Sequence, residues 1–186
     1  MRIEIEKPNT IMFKVYPDRT DDWYTKCLWA RFTFDLANWS LTAQSDCGDY
    51  SYSWCVEKGG RTFLQLMAII EKDYLLGKIS SRSRLDVEST KANVSEWVRE
   101  DEDLSPEERD RILTEIKEIE EYSDGQQFMR ELEDIEGMEN FSDLWECLEY
   151  DYPASAKTFV AIFKEIVQPE IKKYLKEVEN GTSKEM

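Results

Sequence analysis

The turn Asp46-Cys47-Gly48-Asp49 gathers the most reactive side chains of the sequence into four positions. Two carboxylates at a tight turn, with Glu57 shortly after them, make an oxygen-donor set suited to Mg2+. A carboxylate-held Mg2+ can drive phosphodiester hydrolysis without histidine. One reading of the chain is therefore a metal-dependent ribonuclease with Asp46, Asp49 and Glu57 at its centre. The simpler reading is a turn, because Asp and Gly are favoured there, and no D…E-x-K arrangement on adjacent strands accompanies them. On that reading no residue is catalytic and no cofactor is bound.

The 186 residues include no His. This removes the most common general base and the Ser-His and Cys-His nucleophile pairs, so Cys47 has no base to activate it. The four cysteines are Cys27, Cys47, Cys55 and Cys147. Cys47 and Cys55 lack C-x-x-C spacing, and with no His beside them a zinc site is not expected. In a reducing compartment all four are free thiols.

Charge is the second kind of chemistry available. Asp101 to Asp151 holds 20 Asp and Glu against four Lys and Arg, a net charge of −16. The whole chain has 40 acids and 24 bases, also −16, so the other 135 residues balance with 20 of each sign. Within the segment Glu107, Asp110, Glu118 and Glu121 point away from the apolar stripe of one helix, and Glu131, Glu133 and Asp134 from that of the next. A solvated surface is the ordinary purpose of such faces, but solubility does not require this concentration, and its self-repulsion opposes folding. A partner with a basic groove would reward it. Duplex DNA carries one charge per about 1.7 Å of axis. The segment as one helix would carry a net charge every 5 Å or so, at about 1.5 Å per residue. Side-by-side helices raise that density, so the segment can imitate a patch of phosphates but not a long duplex. The sign excludes direct DNA binding by these helices. The one basic stretch, Lys78, Arg82 and Arg84, has no acid between Asp73 and Asp86; it reads as a connection.

The elements that carry these residues are marked by periodicity and caps. Arg2 to Lys7 alternates and predicts a strand with Ile3 and Ile5 inward. Further strands are predicted at Ile11–Tyr16, Trp29–Phe34, Trp39–Ser45 and Tyr50–Cys55. Their short connections imply an antiparallel meander. Thr62 and Gln65 form a capping box that opens a helix with an apolar face broad enough to cover the sheet, and Gly77 is its stop signal. Asp86 caps a helix over Val87–Glu100. Ser105-Pro106-Glu107-Glu108 places Ser at the N-cap, Pro at the first helical position and Glu at the third. Asp124 opens a further helix stopped by Gly137, and a short helix carries Phe141, Leu144, Trp145 and Leu148. The last helical region, Ser155–Glu179, is interrupted at Pro169. The fold class is thus α+β: residues 1–80 form an antiparallel sheet plus helix, and residues 81–186 a helical domain containing the acidic segment 101–151.

Trp29-Ala30-Arg31-Phe32, Trp39-Ser40-Leu41-Thr42, Ser45 to Tyr50, Phe63-Leu64 and Asp73 to Ile79 together resemble small proteins encoded by phages and mobile elements of Firmicutes. The resemblance covers roughly residues 10 to 80 and leaves the acidic helices outside. In size, acidity and mixed architecture the chain is also similar to anti-CRISPR proteins that act on type II effectors. Members of that class occupy the basic channel for guide RNA or target DNA, or damage the guide. The resemblance implies a nucleic-acid-binding host protein as partner, a type II CRISPR effector nuclease above all, and transfers no catalytic residue. A non-enzymatic adaptor for phage replication is a further alternative. The charged first ten residues lack the apolar core of a signal peptide, and no apolar run nears the roughly 18 residues of a membrane span. The expected location is the cytoplasm of the host bacterial cell, away from the membrane.

Overall fold

The computed structural model describes residues 3, 5, 7–56, 60–120, 124–141 and 143–182. The architecture is α+β, in two compact units: Met1–Ser81 with Pro153–Met186, and Arg82–Tyr152.

In the first unit β1 (Thr10–Val15), β2 (Ala30–Asp35), β3 (Ser40–Ser45) and β4 (Tyr50–Ser53) form the predicted antiparallel meander in the order β1-β2-β3-β4. Period-two alternation sends Ala30, Phe32 and Phe34 of β2 and Leu41 and Ala43 of β3 to one buried face. The strand expected at Arg2–Lys7 is not borne out where it is described. Ile3 and Ile5 are 80% and 96% exposed, and residues 7–9 have no regular structure. Pro8 offers no N–H to a ladder, and pairing begins beyond it, at Thr10↔Asp35. Arg2, Glu4 and Glu6 lie outside the described residues.

The helix expected to run from Thr62 to Gly77 is two helices. The capping box is present, with Thr62 and Gln65 each bonded to the other's backbone, but α1 stops at Met67 (Phe63–Met67) and α2 spans Lys72–Ile79. Gly77 lies inside α2 and stops nothing. The carbonyls left by the break have donors elsewhere. The Nε2 of Gln168 donates to Met67 O and Ile70 O at 2.9 and 3.1 Å, and Lys164 Nζ to Ile70 O at 2.8 Å. A helix end buried without such partners would leave polar groups unsatisfied.

Those donors come from the C-terminal helices, which pack in this unit. α6 (Ala154–Ile162) runs through a π turn (Phe163–Val167) into α7 (Gln168–Thr182), with Pro169 in the first turn of α7. Phe159 stacks on Phe32 at a centroid distance of 4.9 Å, and Phe163 packs on Phe32 and Phe34. The expectation of a single helical domain over 81–186 is therefore corrected. Residues 153–186 group with the sheet, because their Phe stripe covers its aromatic face, and the acidic unit is 82–152.

That second unit holds α3 (Val87–Glu100), α4 (Pro106–Glu118) and α5 (Gly125–Glu133), followed by 3-10 turns at Met138–Asn140 and Leu144–Cys147. It is not all-helical, as the sequence suggested. β5 (Arg84–Leu85) pairs antiparallel with β6 (Tyr150–Asp151) and ties the two ends of the unit together. Its core is its own, with Val94, Val98, Ile112, Ile116, Phe128 and Leu132 fully buried. Asp86, Ser105 and Asp124 cap the three helices through their side chains. At Gly137 the chain turns with φ of +95°, a conformation that favours glycine.

Candidate functional site

Residues 82–152 carry 24 Asp and Glu against eight Lys and Arg. The unit thus holds the entire net charge of −16, and the rest of the chain carries 16 of each sign. The charge lies inside the packing unit: residues 82–100 hold four of each sign, and the excess runs from Asp101 to the end of β6 at Asp151.

Several of the unit's few bases are turned onto its own backbone. Lys91 Nζ donates to the carbonyls of Lys117 and Ile119, at 3.1 and 2.6 Å, at the C-terminus of α4, where a cation meets the negative end of the helix dipole. Arg109 Nη2 donates to Asp101 O at the end of α3 and to Leu104 O. Arg111 reaches the Glu136 carbonyl at 3.0 Å and the Glu115 carboxylate at 3.1 Å, linking α4 to the turn that follows α5. Cations used this way brace the helices and leave the outward carboxylates to set the surface potential.

The C-terminal ends of α4 and α5, with the residues that follow each, border an open cleft of about 450 Å3. Ile119 and Ile135 give it apolar surface, and Glu115, Glu118, Glu120, Glu131 and Asp134 line it. Of the residues that the sequence selected, Glu118, Glu131 and Asp134 meet here. Glu107, Asp110 and Glu133 are exposed on the same unit but do not line the cleft. Glu121 lies outside the described residues. Glu115 and Glu120 were not selected. Their signal was available in the i, i+3 and i+4 spacing that sets Glu115 beside Glu118, but the cleft itself depends on how α5 packs.

The Asp46–Asp49 turn has a different structure from an oxygen-only metal site. The Oδ2 of Asp46 accepts the Leu28 N–H at 2.7 Å, and its Oδ1 accepts the Cys27 S–H at 2.9 Å and the Trp29 N–H at 3.4 Å. The carboxylate thus staples the entry of β2 to the exit of β3. Burial would raise the Asp46 carboxyl, but the Cys27 thiol and the Leu28 and Trp29 amides outweigh it and hold it below the usual 3.8. Burial, and then the hydrogen bond to Asp46, push the Cys27 thiol well above its ordinary 9.0. Asp49 is exposed at Gly48, which turns with φ of +122°, and Glu57 lies outside the described residues. What the fold brings to Asp46 is sulfur: Cys27, Asp46 and Cys47 present ligand atoms within 4.8 Å of one another.

The basic stretch divides between the units. Lys78 lies over the rings of Tyr52 and Tyr74 in the first, and Arg82 over Tyr152 in the second. No helix among the described residues is long and apolar enough to cross a membrane.

The model of the phage family Phage_phiTE_072 matches residues 4–173. The match extends well past the 10–80 stretch on which the sequence resemblance rested, and takes in the whole acidic unit. No curated protein matches the chain, and no solved structure does.

Proposed function

The chain belongs to the phage family Phage_phiTE_072, and on that premise we propose that it is an anti-CRISPR-like inhibitor of a host-defence nuclease. Its acidic unit docks on the basic channel that the nuclease uses for nucleic acid. The observation that carries this reading is the confinement of all the net charge to one compact unit, residues 82–152. A charge gathered only for solubility has no reason to be confined to one packing unit, whereas a docking module does. Type II CRISPR effectors hold the guide–target heteroduplex in a positively charged channel, and they are the partner class to which this chemistry is best matched. The Ile119 and Ile135 surface inside the carboxylate-lined cleft suits a basic side chain with an aliphatic stem, since Lys and Arg lay their methylenes on apolar surface and keep the charge at its edge.

The test is a cleavage reaction with a guide-loaded type II nuclease, read on a denaturing gel that resolves target DNA and guide RNA. The wild-type protein is expected to leave target uncut and guide intact. Reversing Glu107, Glu118, Glu131 and Asp134 to Lys together is expected to restore cleavage while circular dichroism stays unchanged. Inhibition that survives the reversal would remove the acidic surface from the contact. A shortened guide, protected by EDTA and by Asp46→Ala, would instead favour the metal-dependent ribonuclease. Full cleavage, with a lysate pull-down that returns only phage replication proteins, would favour the adaptor.

A further inference from the structure

We propose that Cys27, Asp46 and Cys47 form a binding site for one Zn2+ ion, at the open end of the β2–β3 hairpin of the first unit. The antiparallel register Ala30↔Ser45 brings the residues just before β2 against those just after β3, so two cysteines separated by 19 residues meet at one carboxylate. Their sulfurs lie 2.9 and 3.9 Å from the same atom, Asp46 Oδ1. In a tetrahedral site with Zn–S of about 2.3 Å and Zn–O of about 2.0 Å, neighbouring donors are about 3.5 to 3.8 Å apart. The sulfur–oxygen value is the lower of these, about 3.5 Å. The two observed separations fall on either side of it, and all three ligand atoms lie within 4.8 Å of one another, so side-chain adjustment brings them onto one ion.

The surroundings are those of a ligand set. The Leu28 N–H holds Asp46 Oδ2 at 2.7 Å and fixes the carboxylate with Oδ1 toward the sulfurs. Ligating carboxylates are themselves commonly held by such a hydrogen bond. Cys27 is buried, Cys47 half-buried and Asp46 exposed, which gives a closed floor and an entry path. Two thiolates with one carboxylate suit Zn2+, whereas Mg2+ and Ca2+ take oxygen donors. Binding removes one proton from each thiol as the two Zn–S bonds form, and the fourth position is left to water or to a donor from outside the set. The bound ion pins the entry of β2 to the exit of β3, a role that needs no histidine.

The test is titration of the reduced, metal-free full chain with Co2+, which reports thiolate ligation by a sulfur-to-cobalt charge-transfer band. One equivalent is expected to develop the band, Zn2+ to displace it, and about two protons to leave per ion, as thiolate ligation requires. Cys27 belongs to the packed interior, so the half-buried Cys47 and the exposed Asp46 carry the mutational test. Cys47→Ser and Asp46→Asn are expected to weaken Co2+ binding by about 100-fold, a loss that even outer-shell substitutions can reach. Cys55→Ser is expected to leave the titration unchanged. No band, a band that survives Cys47→Ser, or a Cys27–Cys47 disulfide forming in air in a chain that takes up no Co2+ when reduced would each overturn the site.

Discussion

Single side chains set the helix boundaries of the acidic unit, and Glu108 does so through its charge. Its carboxylate accepts the Ser105 N–H at 3.0 Å, while Ser105 Oγ accepts the Glu108 N–H at 3.3 Å. The Ser105 hydroxyl and amide hold the Glu108 carboxyl below its ordinary 4.5. A carboxyl whose pKa is lowered on folding contributes stability that is present above its unfolded value and is lost as pH falls through the folded one. Asp35 and Asp46 are lowered in the same direction in the other unit, so the total acid sensitivity is shared. The comparison that isolates Glu108 is with Glu108→Gln. That variant is expected to be less stable than wild type at pH 7 in urea unfolding, with the gap closing as pH falls below the ordinary 4.5 and through the lowered folded value, where the wild-type carboxyl takes its proton and the charge-assisted bond is lost. A gap independent of pH would mean that the side chain acts by shape alone. Ser105→Ala removes the cap itself together with the hydroxyl that bonds Glu108, and is expected to destabilise by about 1 kcal/mol at pH 7 and by less in acid, where the charge-assisted bond is gone.

At the scale of elements, the sheet depends on helices that arrive more than a hundred residues after it. Phe159→Ala strips the ring stacked on Phe32 and is expected to destabilise by about 3–5 kcal/mol, the usual range for a buried Phe. Gln168→Leu makes the sharper case. It adds apolar surface at a buried position, yet it removes the donor to Met67 O, and an unsatisfied buried carbonyl costs about 1–3 kcal/mol. A urea midpoint that rises in Gln168→Leu would show that the break between α1 and α2 does not need this bond. The same contacts explain what sequence alone could reveal. Strands β1 to β4 and the caps at Thr62, Asp86, Ser105 and Asp124 were legible, because a period of two and a cap are local signals. The Phe159 and Phe163 stripe was legible as a stripe, but its partner was not, since nothing near it specifies the sheet. The two-residue β5–β6 ribbon is too short for any period. The convergence of Cys27 and Cys47 on Asp46 exists only through the β2–β3 register, so spacing along the chain gave no sign of it. Among the carboxylates, exposure was readable from helical periodicity, whereas the cleft required the C-terminal ends of α4 and α5 to meet in the folded unit.

For the whole molecule, the separation of a unit of net charge −16 from a balanced remainder gives ionic strength two opposite effects. Within residues 82–152 the carboxylates repel one another, and several of the bases that might offset them are held at helix ends, so added salt relieves a strain on folding. Between this unit and a basic channel the interaction is attractive, so the same salt weakens it. Raising NaCl from about 0.01 to about 1 M shortens the Debye length from about 30 to about 3 Å, less than the width of a helix. Over that span the urea midpoint is expected to rise while affinity for the nuclease falls. The opposition of sign gives the measurement its discriminating power. If salt weakened the complex by unfolding this chain, stability and affinity would fall together. If the contact were apolar, affinity would hold or improve with salt, and the acidic helices would not be the docking surface. Only electrostatic docking by a folded, self-repelling unit sends the two curves in opposite directions, and calorimetric titration beside urea unfolding in the same buffers measures both.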